Sequence, residues 1–90
     1  MRVITRSVKE KLPKKLINTI WSFHEQVYHG IEKDEYQFAK VETTEGTTTL
    51  RMWQEVPPAI KMKSIPHFDN IEVWIVEDDG VETMLLPDDY

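Results

Sequence analysis

The sequence predicts an α+β fold in which one long amphipathic helix packs on a mostly antiparallel sheet of about four to five strands. Three observations predict this class. Apolar residues form a helical stripe between Pro13 and Gly30, and β-branched and aromatic runs flank two glycine-containing turns. The chain has 90 residues, of which 40% are hydrophobic, and this is enough for one modest core. Residues 1–90 are therefore interpreted as a single domain with the element order β-α-β-β-(β)-β-β.

The first half of the chain predicts a short strand and then the helix. Residues 2–8 are rich in β-branched side chains, which favours a strand. Pro13 is typical of a helix start, and Gly30 is typical of the left-handed residue that ends one. The stripe between them predicts a helix of about 16 residues that covers one face of the sheet. Its members are Leu16, Ile17, Ile20, Trp21, Phe23, Val27 and Tyr28.

A first hairpin is predicted in the middle of the chain. Residues 36–43 and 47–53 are strand formers, and they flank a turn at Glu45-Gly46. The two-residue period of a strand separates its side chains onto two faces. The predicted faces are Leu50, Met52 and Val56 on one side, and Thr49, Arg51 and Trp53 on the other.

The last third predicts an edge strand and a second hairpin. Pro57-Pro58 must end the preceding ladder, because proline has no N–H to donate. Residues 60–65, bounded by a further proline, predict the short edge strand that is bracketed in the element order. Residues 71–76 and 81–86 alternate or run apolar on either side of the turn at Asp78-Asp79-Gly80, which predicts a hairpin.

Charge is distributed unevenly along the chain. The net charge is −5, yet residues 1–15 hold six basic side chains and residues 64–90 hold eight acids without a lysine or arginine. Two interpretations are open: the two ends face each other or lie in solvent, or they form surfaces that attract a charged partner. The basic cluster consists of Arg2, Arg6, Lys9, Lys11, Lys14 and Lys15.

The residues that usually carry chemistry are scarce. The chain has no cysteine, and His24, His29 and His67 lack the spacing of a metal-binding pair. Three glycines do not make a phosphate-binding loop. We therefore expect no enzyme activity, no metal and no cofactor. Because no apolar run is long enough for a bilayer, we also expect a cytoplasmic location and no membrane partner.

Nucleic acid binding is an alternative. The basic cluster offers phosphate contacts, and Trp21, Trp53 and Trp74 offer rings for base stacking. The acidic total, with a pI of about 5.1, argues against it. Trp21 lies on the helical stripe and is assigned to the core, whereas one of the two strand tryptophans is expected to be exposed.

Several stretches resemble an uncharacterised bacterial family, domain of unknown function 960. The resemblance rests on residues 54–58 (Gln-Glu-Val-Pro-Pro) and 83–90 (Thr-Met-Leu-Leu-Pro-Asp-Asp-Tyr), with support from 2–8, Leu12-Pro13 and 71–75. This chain has Ser7 where the family often has a glycine. The resemblance implies no established activity, catalytic residue or cofactor. It implies a context of low-GC Gram-positive bacteria and their mobile genetic elements, where small accessory proteins often bind another protein.

The leading hypothesis is a non-enzymatic accessory protein that binds an unidentified protein partner through an acidic C-terminal surface. The alternatives are a nucleic-acid-binding module that uses the basic cluster, a DNA mimic that inhibits a nucleic-acid enzyme, and an enzyme with an unrecognised carboxylate site. Homodimerisation through the edge at residues 60–65 is a further hypothesis. The acidic surface is assigned to Glu77, Asp78, Asp79, Asp88, Asp89 and Tyr90.

Overall fold

The computed structural model describes residues 1–90, which form one six-stranded sheet, two α-helices and a terminal 3-10 helix. The sheet order is β1-β6-β5-β2-β3-β4, in which β1 pairs with β6 in parallel and all other pairs are antiparallel. The predicted fold class is confirmed, with six strands instead of about four to five. The elements are β1 (Arg2–Ile4), α1 (Arg6–Lys11), α2 (Lys14–Tyr28), β2 (Tyr36–Thr44), β3 (Thr47–Gln54), β4 (Ala59–Ile65), β5 (Ile71–Asp78), β6 (Val81–Leu85) and η1 (Pro87–Asp89).

The long helix α2 forms where the apolar stripe predicted it. It has 15 residues, Pro13 stands at its N-cap, and Gly30 follows its C-cap with a φ of +76°. Neither α-helix is long and apolar enough to cross a membrane. Within the predicted stripe Trp21 is half-buried and every other member is buried. His24, which is not part of the predicted stripe, is buried among these apolar residues.

The helix covers one face of the sheet, which we call the helix face. The alternation of each strand sends a set of apolar side chains beneath α2, and these are buried almost completely. The opposite side, called the open face, has no α-helix or second sheet against it, and only the short η1 and the following Tyr90 contact it at β5. The helix-face core consists of Ala39, Val41, Leu50, Met52, Val73, Ile75 and Met84.

Both predicted hairpins are confirmed. Their two-residue turns, Glu45-Gly46 and Asp79-Gly80, have positive φ at both positions (52° and 80°, 52° and 81°), which is the type I′ geometry that suits the twist of antiparallel strands. The placement of Val56 on the core face is wrong, because β3 ends at Gln54 and Val56 is 72% exposed. Gln54 is buried at the end of the strand.

The N-terminal strand is shorter than predicted. Residues 2–8 divide into β1, the N-cap Thr5 and the first turn of α1, so the strand assignment is wrong from Thr5 onward. The Thr5 hydroxyl accepts a hydrogen bond from the backbone N–H of Val8 (3.3 Å) and thereby caps the helix. This turn places Val8 in the core with no exposed surface. Burial of Val8 is favoured over further pairing of the chain with β6 beyond Ile4.

The predicted edge strand is confirmed as β4. It pairs only with β3, and its outer backbone edge has no neighbouring strand. The other edge of the sheet is β1, which has three residues against the seven of β4.

Candidate interaction surface

Aromatic side chains form a continuous row across the open face. Strand register places Trp74 opposite Phe38 and Phe38 opposite Trp53. Phe38 stacks on Trp53 with ring centroids 5.5 Å apart and meets Trp74 edge-on, also at 5.5 Å. Tyr90 continues the row at 5.4 Å from Trp74 and contacts Tyr36 at 5.8 Å. Aromatic pairs at these distances are mutually attractive, so the row is a preformed surface.

Polar neighbours fix the orientation of the two tryptophans. The Arg51 guanidinium lies 4.9 Å above the ring of Trp53, and the indole N–H of Trp74 donates to Glu72 (3.1 Å). Both tryptophans are half-buried, so each ring keeps an accessible part. The row reaches the sheet edge at Ile60, which pairs with Trp53 and is 58% exposed. We call Tyr90, Trp74, Phe38 and Trp53 the aromatic row.

The C-terminal tail is tied to the start of α1 by Asp89. Its carboxylate accepts hydrogen bonds from the Thr5 and Ser7 hydroxyls (both 2.8 Å) and from the backbone N–H of Leu86 (2.9 Å). The N–H of Leu86, then Ser7 and Thr5, stabilise the ionised form and lower the pKa of Asp89. Asp89 therefore has a structural role, and it orients the neighbouring Tyr90 against the sheet.

The predicted acidic residues are divided among different environments. Glu77 lies 3.9 Å from the Lys33 ammonium, whereas Asp78, Asp79 and Asp88 are exposed. A shallow groove of about 440 Å³ joins the β5–β6 turn to the end of the aromatic row. Its lining residues are Glu35, Tyr36, Val76, Glu77, Asp78, Asp79 and Tyr90.

The predicted basic cluster lies away from the aromatic row. Arg2 contacts Glu25 (2.9 Å) and Glu82 (3.5 Å), and its guanidinium lies 4.9 Å above the ring of Trp21 on the helix face. The other five members are exposed on α1 and at the start of α2. Because α2 covers the face opposite Trp53 and Trp74, these two rings of the nucleic-acid alternative are not brought together with the basic cluster. The third ring, Trp21, lines one groove with Arg2, Lys9 and Lys14.

A buried polar cluster lies beneath the loop that connects α2 to β2. The side-chain amide of Gln37 donates to the backbone oxygen of Asp34, so its oxygen faces His24 and accepts from the Nε2–H at 2.9 Å. Burial lowers the pKa of His24, and the hydrogen bond to Gln37 and the charge of Glu82 only partly oppose this. His24 is therefore neutral in the folded chain at neutral pH.

Glu82 is the charged member of this cluster. Its carboxylate contacts the Lys33 ammonium at 3.1 Å, Arg2 at 3.5 Å and His24 at 3.6 Å. Burial would raise the pKa of Glu82, but these neighbours, with Lys33 first, lower it overall. Burial also raises the pKa of Tyr28 to about 12. No three His, Cys, Asp or Glu side chains lie close enough to hold a metal ion.

Gln54 gives the Gln-Glu-Val-Pro-Pro stretch a structural role. Its amide donates to the backbone oxygens of Glu32 and Pro57, and its side-chain oxygen accepts from the N–H of Asp34, all at 2.9 Å. The Asp34 carboxylate in turn accepts from the N–H of Val56 (3.0 Å). This stretch therefore fastens the loop after α2 to the turn after β3.

Sequence reasoning missed Tyr36 and Phe38 as members of the candidate interaction surface. The two-residue period places them on one face of β2, but only the pairing of β2 between β3 and β5 shows that Trp53 and Trp74 flank Phe38. The expectation that one strand tryptophan is exposed is not met, because both are half-buried on the open face.

No protein-family model matches this sequence, and no curated protein matches it. A similar solved structure is the crystal structure of a protein of unknown function from Enterococcus faecalis. It is 21% identical to this chain, with a TM-score of 0.85, and the match covers 99% of this chain and 89% of that one. At this level of identity the likeness shows that the two chains share a fold.

Proposed function

We propose that this chain is a non-enzymatic protein-interaction module that binds a partner protein on the open face of its sheet. The observation that carries this proposal is the aromatic row, which lies on a face without a covering layer. Rings that are oriented by their neighbours and partly accessible are the kind of side chains that supply most of the energy in protein interfaces. The row offers large contact area at little conformational cost.

The charges around the row indicate what the partner carries. Asp78, Asp79 and Asp88 are exposed near the Tyr90 end, and Glu35 lines the same groove. An aromatic centre with a charged rim is the usual arrangement of a protein interface, in which the rim steers the approach of the partner. We therefore propose a partner whose contact surface has apolar side chains next to lysine or arginine.

The proposal is tested by finding the partner and then measuring its affinity for variants. The tagged chain is used to purify a near-stoichiometric partner from the native host, and that partner is produced separately for calorimetry. Trp53→Thr removes a ring of the row and keeps a strand-forming side chain. Loss of a tryptophan of the row is expected to weaken binding by about 2 kcal/mol or more, which is roughly 30-fold in Kd.

The acidic rim is tested by charge reversal that spares the fold. Asp78→Lys with Asp88→Lys changes two exposed carboxylates, whereas Asp89 is kept because it ties the tail to Thr5 and Ser7. The matched control is Glu10→Lys with Asp69→Lys, which changes the charge equally at two other exposed sites. The rim variant is expected to slow association and to reduce its dependence on salt, and the control is expected to leave both unchanged.

Two results would contradict the proposal. One is a folded Trp53→Thr variant, verified by circular dichroism, that binds the partner as tightly as the original chain. The other is a partner whose affinity responds to Lys14→Glu and Lys15→Glu but not to changes on the open face. The second result would transfer the binding site to the helical side of the molecule.

We also propose that the chain is related to domain of unknown function 960, that it is located in the cytoplasm and that it has an accessory role on mobile genetic elements. The support for the kinship is the resemblance of residues 54–58 and 83–90. The DNA-mimic alternative is less favoured, since Asp89 and Glu77 are occupied by contacts within the chain.

A further inference from the structure

The outer edge of β4 is the longest unpaired backbone edge in the sheet. The strand has seven residues and pairs only with β3, whereas the opposite edge strand β1 has three. An unpaired strand of this length presents a row of free N–H and C=O groups that can pair with another extended chain. The edge is a surface different from the aromatic row, so a binding role for β4 goes beyond the proposed function.

Side chains on the two faces of β4 differ sharply in character. Ile60 and Met62 lie on the open face and are 58% and 64% exposed. Lys61 and Lys63 pair with the buried Met52 and Leu50, so both lie on the helix face, where they are exposed. The ammonium of Lys63 lies 5.5 Å from the ring centroid of Phe23 on α2, which holds that charge beside the sheet. The strand therefore carries an apolar face and a positive face.

This pattern disfavours pairing of a second copy of the chain along the middle of the edge. In a continuous antiparallel sheet, residues directly opposite each other share a face, and a two-fold axis pairs each residue with its symmetry equivalent. Registers centred on Lys61, Met62 or Lys63 each place a lysine directly opposite a lysine of the second copy. Like charges in that position are destabilising.

The same pattern favours an acidic partner strand. A segment that alternates apolar and acidic residues would place its apolar side chains beside Ile60 and Met62, and its carboxylates opposite Lys61 and Lys63. Opposite charges directly across a strand pair are stabilising. The lysines that disfavour pairing of two copies therefore also favour an acidic partner strand.

We propose that the β4 edge binds an extended segment of a partner protein by strand addition, and that this segment alternates apolar with acidic residues. Main-chain hydrogen bonds along the edge supply the binding, and Lys61 and Lys63 set its preference. Ile60 lies beside Trp53 at the edge of the open face, so the added strand extends that face by one strand.

The test uses synthetic peptides and the full chain labelled with nitrogen-15. The first probe is a nine-residue peptide of alternating valine and glutamate, and the second has lysine in place of glutamate. The glutamate peptide is expected to give saturable shifts in the backbone amides of β4 and β3, and to bind at least tenfold more tightly than the lysine peptide. The double variant Lys61→Glu, Lys63→Glu is expected to reverse that preference.

Two controls separate strand addition from simple charge attraction. A glutamate peptide with N-methylated amides cannot pair with the edge, so it is expected to give no shifts in the β4 backbone. The matched charge control is Lys14→Glu, Lys15→Glu on α2, which is expected to keep the original preference. Neither variant changes a residue of the aromatic row. If the peptide experiment fails, the proposed function of the row is therefore unaffected, and the two proposals fail separately.

Three results would overturn this inference. One is the absence of saturable β4 shifts at millimolar glutamate peptide. Another is equal binding of the N-methylated and unmodified peptides, which would show attraction by the lysines alone. The third is a dimer in sedimentation that Ile60→Lys dissociates, which would assign the edge to a second copy of the chain.

Discussion

Replacing Gln54 with leucine tests whether one buried amide holds two loops in place. The side chain is 3% exposed and makes three hydrogen bonds of 2.9 Å, to the N–H of Asp34 and the backbone oxygens of Glu32 and Pro57. Leucine has a similar volume and fills the site, but it leaves those three backbone groups without their partner. The change therefore isolates the polar contribution of the side chain.

The expected loss is worked from the number of bonds. A buried hydrogen bond contributes about 1 kcal/mol net, so Gln54→Leu should lower the free energy of unfolding by about 3 kcal/mol. The total for a chain of this length is on the order of 5–13 kcal/mol. For a domain of this size, the loss corresponds to a decrease in Tm of roughly 12–24 °C.

The assay is urea and thermal unfolding followed by tryptophan fluorescence and far-UV circular dichroism. The matched control is Gln26→Leu on the exposed side of α2, which should change the free energy of unfolding by less than about 0.5 kcal/mol. If Gln54→Leu stays within about 1 kcal/mol of the original chain at unchanged m-value, the assigned role of the amide is wrong.

Three further predictions concern other parts of the fold. Burial lowers the pKa of His24 below 6.5, so below that pH the unfolded chain binds more protons than the folded chain. The free energy of unfolding should therefore be constant above pH 6.5 and fall below it. His24→Gln should flatten that fall in urea titrations at several pH values. Asp89→Asn should speed hydrogen exchange at Leu86 and in the first turn of α1, whereas the exposed neighbour change Asp88→Asn should not; equal rates in both variants would contradict the tether. Glu45 has a φ of 52°, so Glu45→Asn should raise the free energy of unfolding by ~0.5 kcal/mol in the same urea assay, and a loss would contradict the turn assignment.

Local signals were sufficient for the helix and for both hairpins. The stripe from Leu16 to Tyr28 has a period that only a helix can bury on one side, and the glycines at 46 and 80 occupy positions with positive φ. These features depend on neighbours within a few residues, so the amino-acid order alone decides them. The edge position of β4 was likewise predictable, because prolines bound that strand.

Local signals were insufficient where a residue's partner is distant in sequence. Thr5 caps α1 instead of continuing β1, because the helix buries Val8. Asp89 accepts hydrogen bonds from Thr5 and Ser7, which are more than 80 positions away in the sequence. The acidic C-terminal segment was therefore interpreted as one surface, although Asp89 lies in a hydrogen-bonded site and Asp78 is exposed. Charge along a sequence does not show which carboxylates are already engaged.

The sequence by itself determined that the chain forms one amphipathic helix and an antiparallel sheet, because periodicity and turn residues act over short distances. Only the tertiary structure decided which side chains meet on the open face. Tyr90, Trp74, Phe38 and Trp53 come from four separate segments, and neighbouring rings along the row lie within 5.5 Å of one another. Strand register places the three strand residues, and the tail after η1 places Tyr90. Register is set by burial of the opposite face, so the candidate surface is a consequence of the core beneath it.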